Sequence, residues 1–104
     1  MYKLISTKIF DKRLRNLKRI LRLSDSDVKE AIEEIKYTLS ELQQNGTLPP
    51  EFSPHELTDD PWKGWQEYHI LDDLLVVNLK VEKNHIIWLT TITTHHELRK
   101  GPFK

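Results

Sequence analysis

A chain of 104 residues is long enough to bury one core, and with no cysteine that core must hold without disulfides or thiolate-bound metal. No apolar run reaches the roughly 18 residues of a membrane span, and Met1-Tyr2-Lys3-Leu4 does not open an apolar signal stretch, so a single cytoplasmic domain over 1–104 with no membrane partner is expected. The net charge of zero hides a segregation: residues 1–23 carry eight Lys or Arg against Asp11 alone, and residues 24–60 carry ten acids against Lys29 and Lys36.

Tyr2 to Ser6 reads as a short strand. Thr7 can cap a helix running from Lys8 to Leu23, in which Phe10, Leu14, Leu17 and Leu21 recur on one face. Lys8, Lys12, Arg15, Arg19 and Arg22 recur on another. This stripe suits a solvated surface or contact with a nucleic-acid backbone, and residue types alone favour the solvated surface. Ser24 with Asp27 resembles a capping box for a second helix, where Val28, Ile32, Ile35, Leu39 and Leu42 form the apolar stripe and Asn45-Gly46 the stop. Residues 47–61, with four prolines, read as a loop holding His55.

Three strands then follow in quick succession: Trp65 to Ile70, Leu74 to Val81, and His85 to Ile92. Alternation along the first puts Trp65, Glu67 and His69 on one face and Gln66, Tyr68 and Ile70 on the other. The order β-α-α-β-β-β predicts an α+β fold, a helical hairpin packed on one face of a small, mainly antiparallel sheet. The first strand is expected at an edge, and the face away from the helices is expected to be free for a partner.

No GxGxxG, P-loop, GxSxG or HExxH motif is present. His95-His96 sits at the end of a strand, where adjacent side chains diverge, so no metal site and no cofactor is assigned. His55, His69 and His95, with Asp73 beside them, could instead cleave RNA unaided. The 2′-OH is the nucleophile, and histidine suits both proton transfers near neutral pH. Lys63, Arg99 and Lys100 are candidates for the phosphate, and Trp62, Trp65 and Tyr68 for stacked bases. Residue types alone favour the plainer reading, in which the aromatics are core or rim packing and the histidines incidental.

The order of the motifs adds a resemblance. Leu48-Pro49-Pro50, His55-Glu56-Leu57, Trp62-Lys63-Gly64-Trp65, Tyr68-His69-Ile70 with Asp73 and Leu75-Val76-Val77, then Thr94-His95 with Glu97-Leu98, resemble the YafQ branch of the RelE superfamily. These are toxins of bacterial type II toxin–antitoxin pairs. The resemblance implies a RelE-like fold and a ribosome-dependent mRNA endoribonuclease with a metal-free, RNase-like mechanism. It places catalytic roles on His55, His69, Asp73 and His95, substrate contacts on Lys63, Trp65, Gln66, Arg99 and Lys100, and rRNA contacts on the basic stripe. It implies as partners a DinJ- or RelB-like antitoxin, the ribosome and mRNA, with operator DNA reached only through the antitoxin complex. Gln66 stands where the family often has Arg, Leu74 where it has Trp, Thr93 where it has Gly, and Arg99 where it has an aromatic. The alternative these departures raise is a weak or inactive relative acting as a ribosome- or antitoxin-binding module.

Overall fold

The computed structural model describes residues 1–20, 22–58, 62–71, 74–94 and 97, with Ile20 described by its backbone alone. Strand β1 is Lys3–Ser6; helices α1 (Lys8–Arg15), α2 (Leu17–Ile20) and α3 (Asp25–Asn45) follow. A 3-10 turn, Pro50–Phe52, leads to β2 (His55–Glu56), then β3 (Gln66–Ile70), β4 (Leu74–Val81) and β5 (Ile86–Thr94). The sheet order is β1-β5-β4-β3-β2. β1 is parallel to β5, as its helical crossover requires, and the remaining pairs are antiparallel.

The expected fold class holds, with three differences. The first helix breaks at Asn16, whose side-chain amide donates to the Lys12 carbonyl and whose backbone N–H donates to Arg13. An asparagine that satisfies local carbonyls this way competes with the regular ladder. The proline-rich segment is not all loop: β2 adds a fifth strand, and its register comes from β3 rather than from its own composition. The face away from the helices is not bare either. Pairing puts Leu75 and Val77 on it, in rows with His69 and Glu67, and both are fully buried.

Each long element has a visible reason. Thr7 accepts from the Phe10 N–H and donates to the Thr90 carbonyl at 2.6 Å, so one hydroxyl caps α1 and ties it to β5. Ser24 caps α3 through the Asp27 N–H, and Gly46 ends it at φ 75°. The face that α3 buries is Ala31, Ile35, Thr38 and Leu42, against Phe10, Tyr68, Ile70, Val76 and Ile92. Thr38 gives its proton to the Ile35 carbonyl and therefore accepts from the Tyr68 hydroxyl, both at 2.8 Å. Burial holds the Tyr68 phenol well above its ordinary pKa, so it stays a neutral donor.

Beyond β5, Glu97 is gripped by both terminal guanidinium nitrogens of Arg13, at 2.9 and 3.3 Å, and Arg13 also donates to the Ile92 carbonyl. The Thr93 hydroxyl donates to the same carboxylate, and the Glu97 N–H donates to the Thr94 hydroxyl. The end of β5 is thereby clasped to α1.

Candidate active site at the β2–β3 edge

β2 is only two residues long, but it sets the site. His55 pairs directly with Glu67 in β3, and His69 lies two residues further along the same face. His55 Nε2 is 2.7 Å from Glu67 Oε1, its Nδ1 is 2.9 Å from the Ser53 carbonyl, and its ring centroid is 6.2 Å from that of His69. The ring of His55 is half exposed while Glu67 is 3% exposed, so a buried carboxylate backs a histidine that meets solvent.

The local backbone is unusual where it delivers that carbonyl. Ser53 has φ 48° and precedes Pro54. Few non-glycine residues adopt this region, and a following proline disfavours helical backbone, so the conformation costs about 1–3 kcal/mol. It is held by the Ser53 N–H donating to the Pro50 carbonyl and by the burial of Phe52.

The protonation of His55 follows from its partners. A carbonyl can only accept, so Nδ1 carries a proton. An ionised Glu67 also only accepts, and then Nε2 carries one as well. The ring is an imidazolium facing a carboxylate, or it is neutral with the shared proton on Glu67. Either way the pair holds one mobile proton at a 2.7 Å contact. Glu67 Oε2 is buried and has no hydrogen-bond partner among the described residues. His55, Glu67 and His69 offer ligand atoms that all lie within 4.8 Å of one another, a spacing that also suits a cation.

The expected residues divide into groups. His55 and His69 come together. Asp73, His95, Arg99 and Lys100 lie outside the described residues. Lys63 is exposed in the turn before β3, and Trp65 packs edge-on against buried Trp62 with centroids 6.1 Å apart. Gln66 alternates onto the helix side with Tyr68 and lines a cavity of about 200 Å³ whose walls also include Leu42, His55 and Glu67. Lys8, Lys12, Arg15, Arg19 and Arg22 are all exposed, but the break at Asn16 divides them between α1, α2 and the segment beyond, so they do not share one helix face. Glu67 was not among the expected site residues. The signal was the alternation that set it on the face of His69, and the missing information was the pairing with His55.

No curated protein sequence matches the chain. Among solved structures, YafQ from E. coli strain BL21(DE3) is 20% identical with a TM-score of 0.72, covering 94% of this chain and 98% of that one. A metal-bound toxin from Helicobacter pylori is 24% identical with a TM-score of 0.72, covering 94% and 99%. The toxin in the E. coli DinJ–YafQ complex is 21% identical with a TM-score of 0.71, covering 94% and 98%. The family model described as the bacterial toxin of type II toxin–antitoxin systems, YafQ, matches residues 2–100. With nearly its whole length matched, the chain belongs to the YafQ family of type II toxins.

Proposed function

We propose that this toxin is a ribosome-dependent mRNA endoribonuclease that uses the RNA 2′-OH as nucleophile and its own histidines for proton transfer. The observation that carries the reading is the His55–Glu67 pair, a solvent-facing imidazole backed by a buried carboxylate beside His69. With Glu67 ionised, both His55 nitrogens carry protons. That form supports stabilising charge on the phosphate or protonating the 5′-oxygen leaving group, but not removing the 2′-OH proton. The base then falls to His69 or His95. Asp73 is assigned to orienting that base, Lys63, Arg99 and Lys100 to the phosphate, and the exposed basic residues from Lys8 to Arg22 to rRNA. An antitoxin like DinJ, which partners a relative of the same family, is the proposed regulator, acting in the cytoplasm and on operator DNA only as the complex.

The test is a cell-free translation reaction with a defined reporter mRNA, mapped by primer extension. Discrete cuts are expected with the wild-type toxin and ribosomes together, and none when ribosomes are left out. His95→Ala is expected to reduce cutting by roughly 10²–10⁴-fold, the usual contribution of a proton-transfer group. Intact mRNA in every arm overturns the endonuclease reading.

The same donors support cation binding, by analogy with the metal-bound relative. His55, Glu67 and His69 would hold the ion through two imidazole nitrogens and a carboxylate oxygen, the set zinc favours. Such an ion would occupy the lone pairs that proton transfer needs and would therefore compete with cleavage. Zn²⁺ at a hundredfold excess over its Kd should stabilise the wild type by about 2.7 kcal/mol in thermal unfolding. His69→Gln should abolish the shift; an equal shift in that variant removes the assignment.

A further inference from the structure

A second concavity, of about 960 Å³, lies on the helix side and runs up to His69. Its floor is apolar: Leu23, Tyr37, Phe52, Leu71 and Leu74. Tyr37 is 49% exposed, unusual for a large side chain with no partner above it in the described residues, and its ring leans on buried Phe52 at 5.9 Å. The rim is acidic: Asp27, Glu30, Glu33 and Glu34 from α3, and Glu51 from the 3-10 turn. No Lys or Arg is among the described residues that line it.

Two features speak to what fits. Among the described residues that line the groove, the carboxylates are crowded without a counter-charge. Burial first, then the negative charges of Glu30 and Glu51, hold the Glu34 carboxyl above its ordinary pKa. A positively charged occupant relieves that crowding, whereas a phosphate backbone adds to it, so this is not a second RNA surface. The wall formed by α3 is linear. Asp27, Glu30, Glu34 and Tyr37 recur at helical spacing along one side of α3, over about 15 Å at roughly 1.5 Å per residue. That is the length of a three-turn helix.

We propose that this groove docks a cationic amphipathic helix of a protein partner. Its apolar side chains would sit on the Tyr37–Phe52 floor, and its Lys or Arg side chains between the carboxylates of α3. The interface is independent of the RNA chemistry at His55, although its inner end reaches His69. It also divides the surface by charge, with the basic residues from Lys8 to Arg22 facing nucleic acid and the acidic groove facing protein.

Fluorescence anisotropy of a labelled Lys/Leu peptide, with its leucines on one helical face, tests the assignment against the full-length toxin. Saturable binding is expected. Glu30→Lys and Tyr37→Ala should each weaken it about tenfold, through lost charge complementarity and a lost aromatic anchor. Glu41→Lys makes the same charge change on α3 outside the groove and should leave binding unchanged. A peptide of the same composition without an apolar face should bind at least about tenfold more weakly. Equal weakening by Glu30→Lys and Glu41→Lys would reduce the effect to bulk charge and overturn the proposal. Absence of saturable binding, with or without Glu30-dependent self-association in sedimentation, overturns it too, and such self-association makes a second copy the occupant. Thermal unfolding of each variant confirms that all are folded.

Discussion

His55→Gln is expected to leave a folded toxin whose mRNA cleavage is slowed by roughly 10²–10⁴-fold. Glutamine keeps a donor towards Glu67 but has no proton to release near neutral pH. Alanine is the poorer test, because it strands a buried carboxylate, and stranding a buried charge costs about 3–5 kcal/mol by itself. Glu67→Gln should cost less, about tenfold, because the carboxylate acts through His55. The double variant should be little slower than His55→Gln alone, since residues that work as a unit are not additive. Single-turnover cleavage on programmed ribosomes measures all three. A His55→Gln rate within about threefold of wild type would remove His55 from proton transfer and leave the base and acid to His69 and His95.

The largest expected loss of stability outside the site is at Ile35. Ile35→Ala removes a side chain that is 1% exposed in the middle of α3 and leaves a cavity facing Tyr68 and Ile70. Such changes cost about 2–5 kcal/mol. At about 3 kcal/mol, Tm in a domain this size falls by roughly 12–24 °C. Ile32→Ala, three residues earlier in the same apolar stripe, should cost clearly less, because Ile32 is only partly buried. Equal losses at the two positions would mean that α3 is rotated from the orientation described.

That contrast marks where sequence reasoning stopped. The spacing of Val28, Ile32, Ile35, Leu39 and Leu42 gave the helix and the approximate face. The buried centre is rotated towards Ala31, Ile35, Thr38 and Leu42, so that a polar residue lies among the apolar ones. Thr38 meets the sheet through the Tyr68 hydroxyl, thirty residues away in sequence. No local pattern carries such a contact. β2 is the same lesson in the sheet: His55-Glu56 between prolines has no strand signal of its own, and its extended form comes from pairing with Gln66 and Glu67. His55 and His69 could be named from the sequence as types suited to the chemistry. The buried carboxylate between them became visible only when the two strands were side by side.

The strand order carries a consequence for how the toxin comes into being. Among the described strands β1 pairs only with β5, which follows the other four in chain order and lies between β1 and β4. A growing chain can form its helices and the β3–β4 hairpin early. It cannot close the sheet, or fasten Arg13 to Glu97, until β5 and Glu97 have been added and folded back onto its beginning. Long-range closure of this kind is slow compared with local folding. A partner that meets the chain before β5 has docked therefore meets it with its sheet still open.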